Sequence, residues 1–134
     1  MEREILFRGK TKYGSWIIGD LLQYANTAQI WTQEEHGKCN YIVDPATVGQ
    51  FTGLCDKNGV KIFEGDVIRC IANPEVNQFI SSGTIEVMQC DYVVVYKEKS
   101  ACGFYYLHHV LMDTVEVIGN IHDTPDLVLK EEAE

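Results

Sequence analysis

Short apolar and β-branched runs, each cut by glycine, proline, asparagine or aspartate, recur along the whole chain. Thr84–Cys90 alternates most clearly. Ile85, Val87 and Gln89 fall on one side, Glu86 and Met88 on the other, which is the period of a half-buried strand. Tyr92–Tyr96 is continuously β-branched and aromatic, Gly103–Leu107 is aromatic, and Val115–Ile121 is strand-like around Gly119-Asn120. Ser15–Leu22 carries Trp16, Ile17 and Ile18 before Gly19-Asp20, and Glu4–Arg8, Tyr41–Val43, Phe51–Leu54, Val60–Phe63 and Val67–Ile71 add further strands. Many short strands with closely spaced turn signals predict an all-β barrel or sandwich with little helix.

The turn chemistry divides these runs. Asn58-Gly59 supplies the positive-φ positions that tight hairpins favour. Asp44-Pro45 is a helix-start signal, soon ended by Gly49, and predicts one turn of helix. Thr124-Pro125-Asp126 caps a second short turn, and Leu107, Val110 and Leu111 have helical spacing over too short a run for a full helix. Ala25–Asn40 is polar and weakly patterned; it reads as a long excursion, anchored by Ile30-Trp31, that serves partner contact and is dispensable for folding. Asn73–Gly83, punctuated by Pro74, reads as another loop. Phe7-Arg8-Gly9, Gly14 and Gly19-Asp20-Leu21-Leu22 recur as Phe51-Thr52-Gly53, Gly59 and Gly65-Asp66-Val67-Ile68, with an offset drifting from 44 to 46 residues. A glycine-bounded hairpin used twice is the simplest account.

Length and composition then narrow the class. The 134 residues suffice for one domain with its own core, expected over residues 1–128, ahead of an acidic tail at 129–134. Eleven basic against twenty acidic residues give a formal charge of −9, a field that repels nucleic acid as a whole. Arg3, Arg8, Lys10 and Lys12 nevertheless gather near the start, where they read as a charged strand edge kept from aggregating. The chain has no apolar stretch of membrane-spanning length and opens on charged residues without a signal-peptide core, so a cytoplasmic home is expected. Cys39, Cys55, Cys70, Cys90 and Cys102 are odd in number and contain no C-x-x-C pair. They are expected to be reduced, mostly buried packing residues, with no metal.

Candidate chemistry is sparse. Gly9-Lys10-Thr11 lacks both the upstream glycine and the following helix of a phosphate-binding loop. Asp20 and Asp66, each after a glycine and before an apolar pair, would be an acid/base couple only if their hairpins faced each other; a turn or strand-start role is expected. His36, His108, His109 and His122-Asp123 offer imidazoles, but His108 and His109, as neighbours on a strand, would point to opposite faces. Phe104-Tyr105-Tyr106 with Tyr92 and Tyr96 would suit a base-stacking platform, yet only Lys97 and Lys99 lie near to supply charge, so core or interface packing is expected. A catalytic triad, a cofactor motif and a metal motif are all missing from the sequence.

One block is more specific. Thr47-Val48-Gly49-Gln50-Phe51-Thr52-Gly53-Leu54, Asp56-Lys57-Asn58-Gly59 and Ile62-Phe63-Glu64-Gly65-Asp66-Val67-Ile68 resemble the signature of the YopX family of phage and prophage proteins. The opening Arg3-Glu4-Ile5-Leu6-Phe7-Arg8-Gly9 and the close, Val115 to Leu127, agree with it; Cys55, where a polar residue is usual, departs from it. The resemblance implies a mainly β, SH3-like barrel or β-roll, a phage or prophage origin and residence in the bacterial cytosol. It brings no catalytic residue to carry over. The expectation is a non-enzymatic, self-associating protein-interaction module without cofactor, catalytic or metal site. The alternative is a nucleic-acid-associated small barrel, or an acidic DNA mimic acting on a host nucleic-acid-binding protein.

Overall fold

Two hairpin turns of one design organise the chain. The computed structural model describes residues 5–73, 75, 78–89, 91–98 and 101–125. In the first turn Gly14 N–H donates to the Thr11 carbonyl at 3.0 Å, and Thr11 N–H to the Ser15 carbonyl at 2.9 Å. In the second, Gly59 N–H donates to the Asp56 carbonyl at 3.0 Å, and Asp56 N–H to the Val60 carbonyl at 2.8 Å. Gly14 and Gly59 have φ of +87° and +81°, so each turn is a three-residue loop closed by a left-handed residue. Asn58 does not share the positive φ, which corrects the expected Asn-Gly pair to a single left-handed glycine. The internal repeat is therefore real at its turns.

The protein is all-β and divides into two compact units, Met1–Gly53 and Leu54–Glu134. In the first, β1 (Phe7–Lys10), β2 (Trp16–Tyr24), β3 (Thr27–Glu34), β4 (Gly37–Val43) and the start of β5 (Gly49–Cys55) form an antiparallel sheet in the order β4-β3-β2-β1-β5. Alternation sends Ala28, Ile30 and Val43 into its core, with Phe7, Ile17, Leu21 and Val48 packed around them. Asp44 caps a 3-10 turn at Pro45–Thr47, its carboxylate accepting from Ala46 N–H at 3.0 Å, as the sequence predicted. The second unit contains β6 (Lys61–Phe63), β7 (Asp66–Asn73), β8 (Gln78–Met88), β9 (Asp91–Glu98), β10 (Ala101–Tyr106) and β11 (Glu116–Asn120). Its five-stranded sheet has the order β10-β9-β8-β7-β11, and Ile62, Ile68, Ile80, Ile85, Val94, Leu107 and Val115 fill its core. Each such side chain contributes roughly 1.5–3 kcal/mol by leaving water.

Three expectations are corrected. Neither sheet closes into the SH3-like barrel that the resemblance implied. In the second unit β10 and β11 are the two ends of the order. In the first, the chain leaving β4 reaches β1 with one bond, Asp44 N–H to the Lys10 carbonyl at 2.8 Å, and then enters Pro45, which has no N–H to extend a ladder. Ala25–Asn40 is not an excursion. After a turn at Ala25, where φ is +55°, it forms β3 and most of β4 and supplies Ala28 and Ile30 to the core, so deleting it would remove two strands from one end of the sheet and most of its core. Asn73–Gly83 is mostly strand as well: β7 runs to Asn73 and β8 restarts at Gln78, with irregular register between Ile71 and Asn73. Pro74, the tail at 129–134, Arg3, Lys99 and Cys90 lie outside the described residues.

Candidate functional site

The sheet of the first unit has a second face, and that face carries exposed apolar side chains among polar ones. Strand register places Ile18 beside Arg8, and Leu22, Gln29 and Ile42 in one row across β2, β3 and β4. The next row holds Asp20, Trp31 and Asn40. Ile18, Leu22, Trp31 and Ile42 all stand in solvent, Ile42 with 68% of its surface exposed. Scattered exposed apolar residues need no explanation, but a contiguous set on one sheet face marks a contact surface. At its margin Arg8 Cζ lies 4.8 Å from the centre of the Trp16 ring and Lys10 Nζ lies 5.9 Å from it, within the range of cation–π attraction.

Beside this face runs a groove of about 630 Å³ between the turn Lys10–Tyr13 and the end of β4, Asn40–Val43, reaching Asp44 and Thr47. Its frame is rigidly tied. Lys10 N–H donates to Thr47 Oγ1 at 2.9 Å, and the Thr47 hydroxyl donates to the Asp44 carbonyl at 2.6 Å. Lys10 and Lys12 are among its lining residues, with Lys12 Nζ 5.1 Å from the Tyr13 ring. Tyr13 itself is 83% exposed. The arrangement suits an extended ligand with acidic and apolar groups.

The residues singled out in the sequence take other roles. Asp66 is 1% exposed and accepts from Phe63 N–H at 2.7 Å, a strand-start role, whereas Asp20 stands in solvent on β2. Gly9-Lys10-Thr11 passes from β1 into the first turn and then into β2, with no helix. His108 and His109 lie in a 3-10 turn, Leu107–His109, rather than on a strand. Their rings therefore meet at 4.2 Å instead of diverging, and His108 Nδ1 is 3.9 Å from Asp91 Oδ1. Among the described residues no three histidine, cysteine or acidic side chains gather as metal ligands.

The aromatic run splits by alternation. Tyr96 and Tyr105 stack at 5.7 Å and pack on the core with Tyr92, while Phe104 and Tyr106 meet edge to face at 5.7 Å and continue to the two histidines. No single base-stacking platform forms from them. Lys97 and Cys102 have side chains outside the described residues. Cys70 is buried, and burial pushes its thiol up to about 11. Cys55 is exposed, which corrects its expected packing role. At the far end of the β3–β4 hairpin the Tyr41 hydroxyl donates to Glu34 Oε1 at 2.5 Å. That bond holds the Glu34 carboxyl below and the Tyr41 hydroxyl above their ordinary values, and Glu34 also raises the Cys39 thiol.

Sequence reasoning missed Ile18, Leu22, Trp31 and Ile42 as one surface. The signal was present in Trp16–Leu22, which is apolar at both parities, the pattern of a strand whose second face also takes a cover.

Residues 6–129 match the family model described as YopX protein. The crystal structure of protein EF1440 from Enterococcus faecalis is similar in fold, with a TM-score of 0.57 and 22% sequence identity, covering 95% of this chain and 99% of that one. No curated protein matches the chain.

Proposed function

The chain belongs to the YopX family, and from that premise we propose a non-catalytic protein-interaction module, encoded by a phage or prophage and working in the bacterial cytosol. Its first contact is with a second copy of itself, through the solvent face of the first unit's sheet. The observation that carries this reading is the set Ile18, Leu22, Trp31 and Ile42, exposed on one face of a sheet whose opposite face already holds a core. Water is excluded from such a patch when a like surface covers it. Two further facts support a role without chemistry. Asp66 and Asp56 accept from backbone N–H groups through their carboxylates, and the Cys70 thiol is buried, which pushes it up to about 11.

Sedimentation velocity over a range of concentrations tests this. The wild type should sediment as an oligomer, and Leu22→Lys, at an exposed position, should sediment as a monomer with an unchanged circular dichroism spectrum. A wild type that stays monomeric at every concentration refutes self-association.

A second reading has one observation in its favour. Arg8, Lys10 and Lys12 lie over Trp16 and Tyr13, and cations interleaved with aromatics suit a single nucleic-acid strand. Absence of any mobility shift of single-stranded DNA or RNA at low salt removes it.

A further inference from the structure

We propose that the groove beside the outer edge of β4 receives an extended acidic segment of a partner protein, which adds to the sheet as a further strand. This goes beyond self-association through the sheet face. It uses the adjoining groove, which shares only Ile42 with that exposed apolar set, and calls for a ligand of different chemistry.

The edge is the first observation. β4 is the terminal strand of the first unit's sheet, and it pairs with β3 continuously from Gly37 to Val43 with no register shift. Sheet edges are commonly blunted by bulges, prolines or charge. β4 has no bulge and no proline, and Lys38 is its one charged residue. Alternate residues along it therefore turn backbone N–H and C=O groups outward, in the geometry that an added strand uses.

The groove is the second. It opens along Asn40–Val43 and has the Lys10–Tyr13 turn as its opposite wall. At about 630 Å³ it lies in the size range of sites that enclose a ligand. Ile42 on the β4 side offers an apolar contact, and alternate side chains of an incoming strand fall on that same face.

Charge chooses the occupant. Lys10 and Lys12 line the groove, while the third charged lining residue, Asp44, has a carboxylate oxygen accepting from Ala46 N–H in its capping role. At the other end of β4 the hairpin carries Glu34 and Glu35. Lys38 offsets part of that negative charge, so an acidic side chain is favoured more near Val43 than near Gly37. A lysine-bearing segment would be repelled by Lys10 and Lys12 where it enters the groove.

The test uses the full chain and a fluorescein-labelled octapeptide alternating glutamate with valine, followed by fluorescence anisotropy. The glutamate peptide should bind. A version with lysine in place of glutamate should bind at least about tenfold more weakly, as should the original peptide to Lys12→Glu, since one charge-assisted contact is of that size. Methylating alternate backbone nitrogens of the peptide should abolish binding, because a methylated nitrogen cannot donate to the edge. Circular dichroism of Lys12→Glu checks that the variant folds. No binding of the glutamate peptide overturns the proposal. Equal binding of the lysine peptide overturns the charge argument, and equal binding of the methylated peptide overturns strand addition. An oligomer that Lys12→Glu dissolves would give the groove to a second copy and also overturn it. A monomeric protein that still binds the glutamate peptide supports the groove while refuting self-association, so the two readings fail separately.

Discussion

The turn at Thr11–Ser15 and the turn at Asp56–Val60 share a backbone and differ in the side chain that fastens them. Thr11 Oγ1 accepts from the N–H groups of Tyr13 and Ser15, both at 3.3 Å. Asp56 Oδ1 accepts from the equivalent N–H groups of Asn58 and Val60 at 2.8 and 2.9 Å. Its other oxygen takes Val117 N–H at 3.0 Å, and Lys57 N–H reaches the Val115 carbonyl at 2.9 Å. The second turn is thereby docked on β11 and its aspartate is 7% exposed. In the first, the Thr11 hydroxyl bonds stay within the turn, which holds Tyr13 out in solvent and forms one wall of a groove. Charge divides the same way: five basic and six acidic residues fall in the first unit, six and fourteen in the second. A repeated frame has spent one copy on stability and left the other available for contact.

Breaking the carboxylate should have the largest effect. Asp56→Ala orphans three backbone N–H groups, of which Val117 N–H lies in a strand, and should cost about 3 kcal/mol, since bonds to a charged acceptor are the strong ones. Amide hydrogen exchange in β7 and β8 reads this; protection unchanged from the wild type would show the contacts to be ornamental. The same carboxyl makes the unit acid-sensitive. Burial pushes its titration up, but the N–H groups of Val117, Val60 and Asn58, with the Lys57 charge, outweigh that and hold it below its ordinary value. A depressed carboxyl stabilises the fold fully above the unfolded value of about 3.9. That contribution is lost as pH falls through the lower folded value. Asp56→Asn should flatten this acid limb of the stability curve.

The glycines sharpen the comparison by keeping the fastening constant. Gly14 and Gly59 both have left-handed backbones, and an added Cβ would meet nothing within 4 Å at either. Gly14→Ala and Gly59→Ala should therefore each cost about 1 kcal/mol, the intrinsic penalty of that conformation for an L side chain. Local exchange of the Ser15 and Val60 amides measures both. Costs that differ widely would mean that the shared backbone geometry does not govern the two turns alike.

These contrasts also explain what could be read in advance. The all-β class, the cap at Asp44 and the doubled hairpin were legible because turn residues and alternation act over a few positions. The openness of the sheets was not, because closure depends on whether β4 finds β1 along its length. One proline after Asp44 and one bond to Lys10 decide that. β3 was hidden for a related reason: Thr27–Glu34 is polar on its solvent side except for Trp31, so its two core residues, Ala28 and Ile30, were too few to announce a strand. The histidine pair failed on local geometry, since alternation was assumed where a 3-10 turn replaced it. The exposed apolar set lay in plain sight as surplus hydrophobicity, which only the register could assign to one face.

Thr11→Ala is the smallest effect and the most direct test of the division of labour. Two bonds at 3.3 Å to a neutral hydroxyl in an exposed turn should contribute only about 0.5 kcal/mol. Trp16 and Trp31 are the chain's two tryptophans and both lie in the first unit, so urea unfolding followed by their fluorescence reports that unit. Thr11→Asp then installs the fastening of the second turn in the first. A carboxylate there should tighten the turn, raising the midpoint slightly, and place a negative charge between Lys10 and Lys12 in the groove. Stability should rise as acidic-peptide binding falls. If both rise together, the hydroxyl is not the residue that keeps this turn available, and the contrast with Asp56 must rest on the contacts that β11 makes.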